Sequence, residues 1–218
     1  MENILDEKEP EAIHLTDQEI FTTIWTSPRE VFKFINDNEY DKHATVLLIL
    51  AGISSAFDRA VMKDMGDQMS LVTIVALCVV FGAIFGWVTY YIYAALISWT
   101  GGWLNGRGNT SAILRVLAYA MLPSIIALIC LIPQIVIYGD EIFKAEGDIV
   151  SAGLLSNIIV YGSMVFEVIM GLLTLVFVVV GISEVQKFSL GKAFLNSLLP
   201  VIIFAIPILV IIILIDLF

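Results

Sequence analysis

The chain has 218 residues, 59% of them apolar and only 15% charged, with a mean hydropathy of +0.95. Soluble domains run about 45–50% apolar and about 25% charged, so the solvent of this chain is a bilayer, and the useful count is of apolar spans of about 20 residues each. The excess of 21 acidic over 11 basic residues, a net charge of −10, excludes a nucleic-acid binder, which needs clustered Lys and Arg to meet phosphates.

Residues 1–42 hold 11 of the 21 acidic residues and read as an acidic cytoplasmic head, separate from a membrane domain over 43–218. Met1 to Pro10 carries Glu2, Asp6, Glu7 and Glu9 where a secretory signal would be basic and then apolar, so the N-terminus is expected to be retained. Thr16 with Glu19, and Ser27 with Glu30, each have capping-box spacing, the second with Pro28 at the first helical position. Two short amphipathic helices follow from this, presenting Ile20, Phe21, Ile24 and Trp25, then Val31, Phe32 and Ile35. Such stripes lie either in the membrane interface, with Trp25 at headgroup depth, or against the protein's own bundle.

Five apolar segments come next, at about 44–60, 71–99, 112–138, 154–182 and 193–215. The fold class is therefore all-α, a five-helix integral membrane bundle, because only helices or closed barrels satisfy their backbone in lipid. The first segment is the short one. Its uncharged run from Ala44 to Phe57 rises only about 21 Å, so it spans if Tyr40–His43 and Asp58–Lys63 extend the helix, and is re-entrant otherwise. With the N-terminus inside, eight basic residues (Lys8, Arg29, Lys33, Lys42, Arg107, Arg115, Lys187, Lys192) face three outside (Arg59, Lys63, Lys144), which predicts N-terminus in and C-terminus out. After the last span come only Asp216, Leu217 and Phe218, so no extramembrane catalytic domain is expected there.

Within the spans, Gly82 and Gly86 have the GxxxG spacing that lets a neighbouring helix approach closely. Trp99 and Trp103 read as interface anchors, while the deeper Tyr90 and Tyr91 need hydroxyl partners. Cys78 and Cys130 lie in apolar runs and behave as small hydrophobes. The loop Gly101 to Asn109 is glycine-rich but fits no phosphate-loop pattern and reads as a tight connection between spans. Pro123 and Pro133 interrupt the third span, and Pro200 and Pro207 the fifth.

Glu167 is the most informative residue, a carboxylate near the middle of the fourth span with no second charge assigned to its depth. A central acid costs about 2.5–3.5 kcal/mol on insertion scales, so it faces the bundle interior, either as a proton or substrate site or as a carboxyl bonded to a neighbouring helix. Arg115 lies one to two turns inside the edge of the third span and is expected to snorkel to headgroups or phosphate. Glu167, Tyr119 and Arg115 form the candidate intramembrane polar set. The acidic loop with Asp140, Glu141, Glu146 and Asp148 lacks calcium-loop spacing. No catalytic constellation, metal site or cofactor motif is expected, so the chain reads as a non-enzyme.

The run Val116-Leu117-Ala118-Tyr119-Ala120-Met121-Leu122-Pro123 resembles the Tyr-x-x-Leu-Pro segment in the third span of the Yip family, the Ypt/Rab-interacting integral membrane proteins. Ser27 to Phe32 resembles that family's Pro-x-x-x-Phe run, and Gly181 to Lys187 with Ser189, Lys192 and Ala193 its loop before the last span. The resemblance implies a five-span bundle with a cytoplasmic N-terminus. For eukaryotic members it implies Golgi and ER membranes, GTPase partners and membrane shaping. The Asp-Leu-Tyr-Gly-Pro motif is missing and the head is short, so GTPase binding is not carried over, and the chain is similar to the shorter prokaryotic branch, placing it in a bacterial inner membrane. The expected partners are the lipid bilayer and itself or another membrane protein. The leading expectation is an interaction or membrane-organising element. The alternative is a small transporter or lipid-handling protein using Glu167, Tyr119 and the proline-broken helices.

Overall fold

The structure, a computed structural model, describes the backbone of residues 14–149 and 153–217 and the side chains as far as Pro207. The acidic start Met1–Pro10, with Lys8, and the final Phe218 lie outside the described residues.

The head forms two helices, α1 (Asp17–Thr23) and α2 (Pro28–Asp37). At the start of α1 the expected box is present: Glu19 N–H donates to Thr16 Oγ1 at 3.4 Å, and Thr16 N–H donates to the Glu19 carboxylate at 2.8 Å. At α2 it is not. The Ser27 side chain makes no cap bond, Glu30 N–H turns to the Ser27 carbonyl at 3.1 Å, and Pro28, with its φ already helical, starts the helix instead.

Ile20, Ile24, Val31, Phe32 and Ile35 are fully buried, which decides between the two placements of the head: its apolar stripes pack on the bundle. The Phe32 and Trp25 rings lie 6.1 and 5.7 Å from Phe177, and Arg29 Nε pairs with Glu184 at 2.6 Å. Burial of side chains of this size stabilises by about 1.5–3 kcal/mol each. Trp25 keeps a partly exposed ring and donates its indole N–H to the Phe21 carbonyl at 2.9 Å.

Among the described residues, five helical segments are long and apolar enough to cross a membrane. The first, α3 (Ala44–Met62), has 19 residues and rises about 28 Å. It gains that length only at its C-terminal side, by carrying Asp58 and Arg59 within the helix, whereas Tyr40–His43 form a turn before it. The second, α4 (Leu71–Trp103), takes both Trp99 and Trp103 into the helix, their rings edge-on at 4.7 Å. The third runs over Thr110–Phe143 in pieces: α5 (Thr110–Ala120), α6 (Leu122–Ala127), a 3-10 turn at Leu128–Cys130, α7 (Leu131–Tyr138) and a second 3-10 turn at Gly139–Phe143. The breaks sit at Pro123 and just before Pro133, where an N–H is missing from the ladder. The fourth and fifth are α8 (Leu154–Gln186) and α9 (Leu190–Leu217). Pro200 and Pro207 do not interrupt α9, contrary to expectation, since both lie inside one continuous helix; a proline removes a single bond and can bend a long helix without ending it.

The head, the α4–α5 turn and the α8–α9 turn meet at one end of the bundle, through Arg29 with Glu184 and through Arg107 N–H to the Gln186 carbonyl at 3.4 Å. At the other, distal end, Gly66 lies so close to Asp140 and Phe143 that a Cβ there would fall 2.9 Å from their backbones. Between the ends, α3 crosses α4 at glycine contact. A Cβ on Gly52 would lie 2.4 Å from Gly86 Cα, and one on Gly82 2.7 Å from Ile53 Cα. The GxxxG spacing thus serves an internal crossing, with Gly52 as its partner on α3.

Candidate functional site

At the distal side of the crossing the broken third span leaves room beside α3 and α8. A cavity of about 160 Å³ opens there, lined among others by Ser54, Asp58, Ser124, Gln134, Glu167 and Gly171. Gln134 Nε2 donates to Glu167 Oε1 at 2.7 Å, and the Ser54 hydroxyl donates to the Ser124 carbonyl at 3.2 Å, next to the break at Pro123. Glu167 therefore has a neighbouring-helix partner, an amide. The expectation of no second charge at its depth is corrected: Asp58 lines the same cavity, because α3 continues past its uncharged run. The arrangement combines two carboxylates, one amide and two hydroxyls, with space for water, whose share of liquid volume is about 30 Å³. Chemically it can accept a proton or a small cation.

The other two candidates lie elsewhere. Tyr119 ends α5 beneath the head, fully buried, with its ring 6.1 Å from Phe21 and 6.0 Å from Tyr40. Its hydroxyl makes no hydrogen bond among the described residues. Beside it, Tyr40 Oη donates to Asp17 Oδ1 at 2.7 Å, Lys42 Nζ also donates to Asp17, and His43 Nε2 stands 3.7 Å from the same carboxylate. The donors from Lys42 and Tyr40 hold the Asp17 carboxyl down at about 2, from an ordinary 3.8. Burial, aided by the bond to Asp17, pushes the Tyr40 hydroxyl up.

Arg115 does not reach outward as expected. Its side chain is 16% exposed and Nη2 lies 3.7 Å from Glu39 Oε1, in a cavity of about 260 Å³ that also draws in Arg107 and Lys187. The turn after α2, held by Glu39 in the left-handed region at φ 50°, places a carboxylate within reach before the guanidinium leaves the protein. Glu167, Tyr119 and Arg115 thus occupy three separate places.

A buried polar knot at the head end escaped sequence reasoning. Gln186, 1% exposed, accepts from Gly108 N–H at 2.9 Å and donates to the Ile97 carbonyl at 3.3 Å. Asn196 donates to Thr100 Oγ1 at 2.8 Å and to the same Ile97 carbonyl at 3.2 Å. A Cβ on Gly101 or Gly106 would fall 2.1 or 2.2 Å from the Gln186 amide. The connection expected from Gly101 begins only at Leu104, since α4 runs on to Trp103; a glutamine from α8 fills the space that side chains at Gly101, in the last turn of α4, and Gly106, in the turn after it, would take. The same end gathers the three stretches that carry the family resemblance: a Cβ on Gly181 would fall 2.1 Å from Val116 Cγ1 and 3.6 Å from the Phe32 ring.

In the acidic loop Lys144 offsets part of the charge, its Nζ lying 3.0 Å from Asp140 and 2.6 Å from Glu141. Among the described residues no group of three or more His, Cys, Asp or Glu could hold a metal ion. Residues 22–212 match the family model described as the Yip1 domain. Comparison with curated proteins and with solved structures returned no match.

Proposed function

The chain belongs to the Yip family, and from that premise we propose that this multi-pass membrane protein is a non-enzymatic organiser of its membrane, holding lipid and neighbouring membrane proteins on the faces of its bundle. One observation carries the reading. Beside the glycine crossing of α3 and α4, a groove of about 450 Å³ opens on the outer surface, apolar along Phe81 and Phe85, with Tyr90 deeper and Arg59 toward the distal end. A long apolar trough with a cation at one end has the chemistry of a lipid chain and its headgroup. Among the described residues of the head, the apolar stripes are largely spent on the bundle, with Trp25 partly exposed. The orientation proposed has the N-terminus in the cytoplasm of a bacterial cell and the last span exiting outside the inner membrane. Seven of the eight basic residues expected inside sit at the head end, Lys8 lying outside the described residues, and Arg59, Lys63 and Lys144 sit at the distal end, which supports it. A reporter fused after Phe218 reads as external on this account; a cytoplasmic signal contradicts it. Crosslinking from position 85 in native membranes should capture lipid or a membrane protein, and the absence of any adduct counts against the reading.

A second reading is favoured by the Glu167 cavity: a small transporter that passes a proton or cation by the broken third span. Glu167→Gln should then abolish flux in proteoliposomes while the protein remains folded. A stable wild-type protein without flux removes it.

A further inference from the structure

The 260 Å³ cavity at the head end has no part in the reading above and does not rest on it. It lies where three elements converge: the C-terminal turn of α2, with Asn36 and Glu39; the start of α5, with Asn109, Ala112 and Arg115; and the bends bearing Arg107 and Lys187. Three of the chain's 11 basic residues thus line one cavity against one carboxylate, in a protein whose net charge is −10. The excess is local and positive. Glu39 offsets one of the three charges at most: its carboxylate, 80% exposed, pairs with Arg115 Nη2 at 3.7 Å, beyond ordinary hydrogen-bond distance. Arg115 Nε is buried and has no hydrogen-bond partner among the described residues. A guanidinium presents five donors in a planar fork, and the one carboxylate near Arg115 stands too far off to take a hydrogen bond, so the fork suits an anion with several oxygens.

The backbone adds to this. Asn109 caps α5 through its side chain, accepting Ala112 N–H at 2.8 Å, and the cavity borders this first turn, where free N–H groups and the helix dipole favour negative charge. Arg107 and Lys187 are held in place by the glutamine knot: Arg107 N–H donates to the Gln186 carbonyl at 3.4 Å, and Lys187 follows in the left-handed region at φ 57°. Both side chains are exposed and free to close on a ligand. Trp99 and Trp103, each more than half exposed at the same end of α4, mark the depth of the membrane interface.

The geometry points to a binding site for a phosphate group here, gripped by Arg115 from within and by Arg107 and Lys187 from the rim. The phosphate can come from an anionic lipid headgroup or from a free phosphate ion, and the interface depth of the site suits the lipid.

The test uses the full chain in detergent and in nanodiscs. Native mass spectrometry compares retention of phosphatidylglycerol with phosphatidylcholine, and thermal unfolding is followed with and without inorganic phosphate. The wild type should retain phosphatidylglycerol preferentially. Arg107→Gln and Lys187→Asn, both at exposed positions and the latter compatible with the left-handed backbone, should each weaken retention about fivefold. Glu39→Gln, which removes the competing carboxylate, should strengthen it. These two directions separate a site from a folding defect, which Arg115→Gln alone would not. Competition and a thermal shift with inorganic phosphate identify a free ion as a sufficient ligand; retention of the lipid against inorganic phosphate identifies the headgroup. Equal retention of both lipids together with no phosphate shift overturns the proposal, as does indifference to all three substitutions.

Discussion

The two ends of this bundle are built on different principles. At the head end, α1, α2, the first half of α3, α5 and the last turns of α4 and α8 bury one continuous apolar cluster running from Ile20 to Ala193, beside which Gln186 and Asn196 share the Ile97 carbonyl and Asn196 also donates to Thr100. At the distal end the buried cluster is small, Phe57, Ala60, Ile74, Cys78 and Phe143, and the third span is in pieces around a polar cavity. The contrast teaches where the apolar core is continuous and where a span is broken around open space, the head end's own cavity of about 260 Å³ being lined mostly by polar and charged residues. A membrane supplies no hydrophobic drive between helices, so close packing and paired polar groups hold them together; the head end has the continuous core and the Gln186–Asn196–Thr100 knot, with the Tyr119 hydroxyl and Arg115 Nε left without a hydrogen bond among the described residues, and the distal end leaves space that a lipid, water or ion can use.

Paired substitutions sharpen or break that comparison. Phe32→Ala removes a fully buried ring at the head end and should cost about 3–5 kcal/mol. Phe57→Ala removes a ring that already borders two cavities and should cost about half as much, because less packing is lost. Denaturant titration in mixed micelles measures both, and equal losses would erase the distinction.

Glycines offer a gentler version. Gly181→Ala sets a methyl 2.1 Å from Val116 Cγ1 and should destabilise by about 1–3 kcal/mol. Gly171→Ala meets nothing within 4 Å and, relieved of glycine's cost inside a helix, should stabilise by up to ~1 kcal/mol. Opposite shifts in unfolding temperature are expected; shifts of one sign would contradict the contrast.

The smallest effect is in pH. Asp17 falls from 3.8 to about 2 on docking of the head, so its contribution is complete above pH 3.8 and is lost as pH falls toward 2. Because the carboxylate is solvated, the loss is slight, and Asp17→Asn should flatten the acid limb of head-end unfolding without altering the distal end.

The spans and the family were legible in the sequence because apolar runs and short local motifs carry them. Gly82 and Gly86 were legible as a contact face, but Gly52 was not, since its role is set by what α4 brings against it. Glu167 announced itself by being charged among Ile, Leu and Val. Its companions did not. Gln134 is uncharged, and Asp58 read as the end of a short span; only the continuation of α3 puts it on the cavity, four residues after Ser54. Tyr119 and Arg115 are four residues apart and share one face of α5, a turn apart; what separates them is what the head lays over that face, Phe21 and Tyr40 on Tyr119 and Glu39 beside Arg115, which no local pattern shows. The short head helices showed their apolar faces but not what would cover them, and burial of Ile20, Ile24 and Phe32 answered in favour of the bundle.

Hydrogen exchange along the third span, in nanodiscs, tests the two-ended account most directly, because α5 and α7 belong to the same apolar segment and differ in little but their surroundings. The account predicts slow exchange over residues 113–121 and markedly faster exchange over 128–138. Uniform protection across the span would contradict it.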